Sequence, residues 1–158
     1  MAIEKVREYF RLKGMEERIK EFDVSSATVE LAAAALGCEG ARIAKTMSFL
    51  VDEKAVLIVT AGDTKISNAD FKAVFHTKAK MLTPEQVDTL IGHSIGGVCP
   101  FAVNEGCETY LDKSLLRFDI VYPAAGSANS AIELTPQELF DLANAEDWIS
   151  VCKIKDDA

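Results

Sequence analysis

The sequence has few of the residues that form metal sites and disulfide frameworks. Its 158 residues include two histidines and four cysteines (Cys38, Cys99, Cys107 and Cys152), and no two cysteines form a C-x-x-C pair. Structural zinc sites need closely spaced Cys and His ligands, and divalent cations need clustered carboxylates, neither of which the sequence shows. We therefore expect no metal ion and no cofactor, and we expect the thiols to be reduced.

Long hydrophobic runs are also absent. No apolar stretch approaches the ~20 residues that cross a membrane, and residues 1–5 do not resemble the start of a secretory signal. A cytoplasmic protein without membrane contact is the expectation. The sequence also lacks a low-complexity linker, an internal repeat and a break in composition. We therefore expect a single domain over residues 1–158.

Basic charge is scarce and unevenly distributed. The chain has 17 Lys and Arg against 25 Asp and Glu, a net charge of −8, which argues against a protein that coats nucleic acid by bulk attraction. Residues 1–80 hold 13 basic and 12 acidic side chains, whereas residues 81–158 hold 4 and 13. An anionic partner is therefore expected on the face built by the first half, although a solvated acidic surface explains the total equally well.

The remaining composition is that of a globular protein, with 49% hydrophobic and 27% charged residues. Periodicity and capping signals predict helices over residues 3–13, 16–22, 29–36, 68–75, 84–91 and 136–142. Apolar and β-branched runs predict strands over residues 46–51, 55–60, 80–82, 109–111, 120–122, 131–134 and 148–154. Capping boxes with Pro at the first helical position begin at Thr83 and Thr135. This order predicts an α+β fold with a mixed, mostly antiparallel sheet.

The most unusual segment is the loop over residues 92–101, which contains Gly92, Gly96, Gly97 and Pro100. Glycine lets the backbone approach a ligand closely, and Pro100 pushes the residue before it into an extended conformation. Such a loop can present successive amide groups to a carbonyl oxygen or a phosphate. An ordinary glycine-rich turn has the same composition, and the segment matches neither a P-loop nor a dinucleotide-binding motif.

Lys45 is the second candidate because it lies at a helix-to-strand junction between apolar residues. A partly desolvated lysine there can present its ammonium to an anion or a carbonyl group. The alternative is a lysine whose stem packs on the surface while its head stays in water.

Three further residues have weaker signals. His93 fits a general base or a structural histidine, and Asp112 fits a helix N-cap better than a catalytic carboxylate. Cys99, in the glycine-rich loop, is the only thiol retained as a site candidate. No Ser–His–Asp or Cys–His arrangement predicts a covalent triad, so the inventory favours electrostatic positioning of a substrate over a protein nucleophile.

Several segments occur in the order found in one known family. They are Thr28–Ala32 with Leu36-Gly37, Ile43–Thr46, Ala61–Asp63, Gly96–Phe101, Tyr110–Asp112 and Ala124–Gly126. Together they resemble the YbaK family, the stand-alone relatives of the editing domain inserted in bacterial prolyl-tRNA synthetases. The resemblance covers residues 25–150 and leaves an N-terminal helical segment, residues 1–22, outside it.

The resemblance implies a partial barrel of mostly antiparallel strands surrounded by helices. It also implies a trans-editing hydrolase that cleaves the ester of a mischarged aminoacyl-tRNA. The expected amino acid is small (Ala, Ser or Cys, with the first two favoured), and the expected carrier is tRNA-Pro. By resemblance Lys45 positions the substrate, and the main-chain amides of Gly97, Val98 and Cys99 stabilise the oxyanion while water or a substrate group attacks. Other residues expected at the substrate are Thr46, His93, Gly96, Pro100, Phe101, Asp112, Ala125 and Gly126.

The expected partner is the acceptor end of an aminoacyl-tRNA, and by analogy a prolyl-tRNA synthetase supplies tRNA selection. Few phosphate contacts are needed to hold a tRNA end, so a small basic rim is compatible with the acidic total. Two alternatives remain open. One is a non-catalytic module that binds a tRNA end, a nucleotide or a synthetase in the same cleft, and the other is a thiol or redox protein that uses Cys99.

Overall fold

The fold is known from a computed structural model that describes residues 2–26, 28–93 and 98–155. The helices are α1 (Ala2–Arg11), α2 (Val29–Leu36), α3 (Asn68–Phe75), α4 (Pro84–Gln86, continued by a π-helical turn over Val87–Ile91) and α5 (Pro136–Leu142). The strands are β1 (Ile19–Glu21), β2 (Ile43–Val51), β3 (Lys54–Ala61), β4 (Thr64–Ile66), β5 (Glu108–Asp112), β6 (Tyr122–Pro123), β7 (Ser130–Ile132), β8 (Trp148–Ile149) and β9 (Cys152–Ile154). Short 3-10 turns cover Glu16–Arg18, Gly40–Arg42 and Lys113–Arg117.

The main sheet has the order β6-β2-β3-β5-β8. β2 and β3 form its long antiparallel hairpin, from Ala44 opposite Ala61 to Val51 opposite Lys54, and the other neighbours in this sheet are parallel. Two smaller antiparallel sheets pair β1 with β7 and β4 with β9. Antiparallel ladders pair more residues than parallel ones, which confirms the predicted α+β class with its mixed, mostly antiparallel sheet.

Both faces of the main sheet are covered by apolar side chains. β3 is buried from Ala55 to Ala61, as predicted for a central strand. On one face Phe49 and Val51 of β2 pack with Phe71 of α3. Because side chains alternate along a strand, Lys45 shares that face with Phe49 and Val51, whereas Thr46 points to the other face. The side chains of Lys45 and Thr46 therefore leave β2 on opposite faces of the sheet.

The helix termini follow the local signals in the sequence. The side chain of Thr28 caps α2 by accepting from the amide of Leu31, and Gly37 ends the helix in the left-handed conformation at φ +69°. The capping boxes at Thr83 and Thr135 both form with their two reciprocal hydrogen bonds. These contacts fix where α2, α4 and α5 begin.

Three predicted elements differ from the structure. The helix expected over residues 16–22 is a 3-10 turn followed by β1, because Ile19 is buried where it pairs with Ile132 of β7. The strand expected over residues 148–154 divides into β8, which joins the main sheet, and β9, which joins β4. The strand expected over residues 80–82 is reduced to one bridge between Met81 and Phe49. In each case tertiary pairing overrides the local pattern.

Candidate active site

A cavity of about 390 Å³ lies beside β2. Residues 43–48 of β2 form one side of it. The other walls come from the segment leading into α2, the start of α4, the β6–β7 segment and the glycine-rich loop. They include Ser26, Thr28, Leu82, Val87, Val98 and Ala124. A mainly apolar lining with a few polar groups is typical of small-ligand sites.

The cavity occupies a gap along the outer edge of β2. β6 pairs with this edge only at Ile43 and Ala44, and Met81 bridges to it again at Phe49. Between these two contacts, residues 45–47 have no strand partner on that side within the described parts of the chain. The gap therefore exposes a short length of strand backbone to the cavity.

The direction of the backbone groups in this gap follows from their neighbours. The carbonyl of Ser48 accepts from the amide of Leu82, and the amide of Leu50 donates to the carbonyl of Lys80. Alternate residues of an antiparallel strand direct their N–H and C=O to the same edge. Thr46 therefore turns its amide and its carbonyl toward the outer edge, where the cavity lies.

Lys45 is half-buried and lines the same cavity. Its Nζ donates a hydrogen bond to the main-chain carbonyl of Thr64 on β4. An ammonium has three N–H donors, so two remain for a ligand. No sequence signal identified Thr64 as a partner, because the contact depends on how β4 packs against the main sheet.

The surroundings of Lys45 lower the pKa of its ammonium. Burial is the largest cause, and the positive charge of Lys155 adds to it. Cys152, Asp63 and Glu30 act in the opposite direction. The ammonium is therefore less strongly solvated than that of a surface lysine, which strengthens its attraction for a carbonyl or phosphate oxygen.

Thr46 contributes a side-chain group as well as its backbone. Its Oγ1 is buried and has no hydrogen-bond partner among the described residues, although the residue lines the cavity. A buried hydroxyl without a partner carries a free-energy cost, so such a group is typical of a site that a ligand completes. Thr60, opposite Lys45 on β3, has a similarly unpaired hydroxyl but does not line the cavity.

The glycine-rich loop is described only in part. The predicted site residues Gly96 and Gly97 lie outside the described residues, whereas Val98 lines the cavity together with Lys45. The described ends of the loop are joined by His93, whose Nε2–H donates to the carbonyl of Phe101 at 2.8 Å. His93 is fully buried, and burial lowers the pKa of its imidazole. It closes the loop and does not line the cavity.

Cys99 is fully buried inside the loop rather than exposed. Its Sγ lies 3.6 Å from Nε2 of His93 and 3.8 Å from the carbonyl oxygen of Phe101. Burial raises the pKa of this thiol to about 12, which keeps it protonated at neutral pH. These surroundings do not suit the reactive thiolate that the alternative of a thiol or redox protein requires.

Asp112 has a structural role in this arrangement. Its Oδ2 accepts from the amide of Ser114 at 3.0 Å and its Oδ1 accepts from the amide of Val151 at 2.9 Å. Both carboxylate oxygens are therefore engaged by main-chain donors, as expected of the N-cap alternative. Asp112 does not line the cavity.

The other predicted contact residues lie around the cavity rather than on its surface. Phe101 is fully buried against Phe10, with ring centroids 4.8 Å apart, and Pro100 is buried beside it. Ala125 is fully buried in the same core, and Gly126 follows it with φ +100°. Their neighbour Ala124 lines the cavity instead.

No group of three or more His, Cys, Asp or Glu residues suited to a metal ion occurs in the described ranges. None of the helices there combines the length and apolar character needed to cross a bilayer.

Comparison with known proteins places this site in context. The family model of the aminoacyl-tRNA editing domain matches residues 23–142. The uncharacterised protein YwhH of Bacillus subtilis (strain 168) is 49% identical over 154 residues, covering 97% of this chain and 98% of that protein. A proline–tRNA ligase of Bacillus cytotoxicus is 28% identical over 88 residues, which are 55% of this chain and 16% of the ligase.

The fold has solved relatives as well. One is described as a candidate trans-editing enzyme for prolyl tRNA synthetase, with a TM-score of 0.87 and 27% identity. The match covers 96% of this chain and 97% of that one.

Proposed function

Because this chain belongs to the aminoacyl-tRNA editing domain family, we propose that it hydrolyses the ester of a mischarged aminoacyl-tRNA and releases the amino acid and the tRNA. The observation that carries the proposal is the cavity at the open edge of β2. It brings together Lys45, Thr46 and Val98 of the glycine-rich loop. The ammonium of Lys45, the outward amide of Thr46 and its hydroxyl, which has no partner among the described residues, are donor groups, and the reaction develops negative charge on a carbonyl oxygen.

Lys45 is assigned the task of holding the substrate. Its carbonyl contact with Thr64 fixes the head of a flexible side chain and leaves two N–H groups for a phosphate or the aminoacyl carbonyl. Holding the ester in one orientation reduces the entropy lost on reaching the transition state. The lowered pKa of Lys45 reflects the burial that makes this contact strong.

The oxyanion is assigned to main-chain amides of the loop. Attack by water, or by a group of the substrate, on the ester carbon produces a tetrahedral oxyanion. The bond to the ribose oxygen then breaks and that oxygen takes up a proton. Amides of Gly97, Val98 and Cys99 are the proposed donors, and one such donor is typically worth ~3 kcal/mol in the transition state.

A small amino acid is the proposed cargo. The apolar lining around Leu82, Val87 and Val98 suits a short side chain such as Ala, Ser or Cys. One methylene group changes binding in an apolar pocket by only ~1–3 kcal/mol, so selection among these three is expected to be incomplete. The related ligase and the related solved structure support tRNA-Pro as the carrier and a prolyl-tRNA synthetase as partner.

The non-catalytic alternative uses the same cavity to bind a tRNA end, a nucleotide or a synthetase without turnover. The alternative based on Cys99 receives little support, because its thiol is buried and protonated.

A panel of mischarged tRNAs, incubated with the wild type and with Lys45→Ala, tests the proposal. We expect hydrolysis of at least one small aminoacyl ester by the wild type and a loss of at least 100-fold in the variant, on the order of 2.7 kcal/mol. Lys54→Ala, at the far end of the same hairpin, is the matched control and should retain activity. Binding of tRNA without turnover across the panel would favour the non-catalytic alternative.

A further inference from the structure

The small sheet beside the cavity has an unusual pairing of like charges. In the β4–β9 ladder, Lys65 is the direct partner of Lys153. Side chains of directly paired residues project from the same face, so two ammonium groups stand side by side. Lys155 follows two residues later on the same face and hydrogen-bonds through its amide to the carbonyl of Asp63. We call Lys65, Lys153 and Lys155 the basic face.

The positive charge of the basic face is not neutralised by the described part of the protein. All three side chains are exposed, and none makes an ion pair with a carboxylate in the described ranges. The carboxylate nearest to Lys65 along the chain, Asp63, is already paired with Arg117 through hydrogen bonds of 3.0 and 2.6 Å. Asp156 and Asp157, which follow Lys155, lie outside the described residues. Like charges directly opposite each other destabilise a strand pair. The arrangement therefore has a cost that an anionic partner would remove.

The basic face is unexpected from the charge distribution. Residues 81–158 contain 4 basic residues against 13 acidic ones, yet two of those four, Lys153 and Lys155, lie next to each other on this one surface. They join Lys65 only because β9 pairs with β4.

The basic face also adjoins the candidate active site. Thr64, whose carbonyl accepts from Lys45, is the residue immediately before Lys65. Lys155 is close enough to Lys45 to lower its pKa. Lys155 therefore brings the charge of the basic face into the vicinity of Lys45.

We infer that the basic face binds backbone phosphates of the tRNA acceptor end whose terminal ester enters the cavity. The inference rests on the proposed function, because it assigns the route by which that substrate reaches Lys45. Lysines two residues apart on a strand are spaced by roughly 6.6 Å, so the face presents a row of point charges rather than a base-reading surface. Contacts of this kind position RNA without reading its sequence.

The double variant Lys65→Gln/Lys153→Gln tests the inference. Lys13→Gln/Lys54→Gln is its control, because it removes the same charge from exposed lysines elsewhere. Affinity for uncharged tRNA is measured across a salt series, which requires no turnover. We expect the test variant to bind ~10-fold more weakly at low salt and its slope of log K against log salt to fall by ~1–2, at 0.7–0.9 per phosphate lost. The control should keep the wild-type slope.

A small substrate separates this inference from the proposed function. An aminoacyl ester of adenosine contains the scissile bond but no phosphate, so its hydrolysis should be equal in the wild type and the test variant. If neither tRNA nor adenosine esters are cleaved by the wild type, the proposed function fails while the binding result still decides the inference. An unchanged salt slope in the test variant, or an equal loss of affinity in the control, would overturn the inference. A thermal midpoint at or above that of the wild type verifies that the variant is folded.

Discussion

The ammonium of Lys45 donates its hydrogen bond to the main-chain carbonyl of Thr64, so a residue of β2 is held by the backbone of β4. A backbone acceptor cannot rotate away as a side chain can. Its position depends on the pairing of Thr64 with Ile154 in the β4–β9 ladder. The lysine that we assign to substrate positioning is therefore oriented by a sheet that contributes no side chain to the cavity lining.

The pKa of Lys45 is expected to lie below the ~10.4 of an unperturbed lysine. Because the second cause of the shift is Lys155, the substitution Lys155→Gln should raise the pKa of Lys45 toward that value. NMR titration of the lysine side-chain resonances measures both values. Since the folded protein binds this proton less tightly than the unfolded chain, stability should rise with pH between the lowered pKa and ~10.4. A pKa of Lys45 that does not respond to Lys155→Gln would contradict this account.

Thr46→Val should change stability and activity in opposite directions. Removing a buried hydroxyl that has no partner in the described ranges should raise the free energy of unfolding by about 1 kcal/mol. If the hydroxyl binds substrate, kcat/KM for a susceptible aminoacyl-tRNA should fall by roughly 10-fold, on the order of 1.4 kcal/mol. Thr60→Val is the matched control, because the buried hydroxyl of Thr60 also finds no partner in the part of the chain that the structure describes and does not line the cavity. It should stabilise the protein and leave kcat/KM unchanged, and equal activity losses in both variants would refute the assignment.

His93→Ala should loosen the glycine-rich loop. The substitution leaves the buried carbonyl of Phe101 without the donor that now lies at 2.8 Å, and should lower the free energy of unfolding by about 2 kcal/mol. His93→Gln retains an N–H donor and should recover part of that loss. Urea denaturation measures the free energy of unfolding of both variants. Equal stability of His93→Ala and the wild type would show that the hydrogen bond from His93 to Phe101 does not stabilise the loop.

Acid should reduce the contribution of His93 to the stability of the folded protein. Burial lowers the pKa of His93 in the folded protein, whereas an unfolded histidine titrates near ~6.5. Below that value the unfolded chain binds more protons at this residue, so its contribution to stability falls as the pH decreases through ~6.5 toward the folded pKa. The difference in stability between the wild type and His93→Gln should therefore depend on pH in this window. A difference that is constant from pH 7 to pH 5 would count against a buried neutral imidazole.

Gly62→Ala should be strongly destabilising. A Cβ at Gly62 would lie 2.1 Å from the carbonyl oxygen of Gly40, which is backbone and cannot move independently. We expect a loss of about 3 kcal/mol, at the upper end for overpacking. Gly40→Ala is the milder comparison, because its Cβ would meet only the side chain of Val29, at 3.3 Å. Thermal unfolding of both variants should rank Gly62→Ala as the less stable.

Local signals in the sequence predicted the elements whose stability is local. The strands expected over residues 46–51 and 55–60, the helix over residues 29–36 and the boxes at Thr83 and Thr135 depend on residues a few positions apart, and all of them occur. β1 and β9 pair with strands more than 80 residues away, and β8 pairs with β5, 37 residues away, which no local pattern encodes.

Some features of the candidate site could likewise be predicted from local sequence, whereas others depend on tertiary contacts. Lys45 and the glycine-rich loop have unusual local composition, so the sequence alone was enough to make them candidates. The carbonyl of Thr64, the gap beside Thr46 and the roles of His93 and Asp112 arise from tertiary contacts. We expected His93 and Asp112 at the substrate, and in the structure Nε2 of His93 and both carboxylate oxygens of Asp112 form hydrogen bonds with backbone groups of the scaffold.

The gap in the pairing of β2 also bears on solubility. Unpaired strand edges are templates for association between chains, and proteins usually protect them. Here the open length is only residues 45–47, with β6 at one end and Met81 at the other. A strand from another chain would collide with β6 and with Met81 before it could form more than a few backbone hydrogen bonds with β2. The protein can thus offer unpaired backbone donors to a small molecule while remaining a poor seed for aggregation.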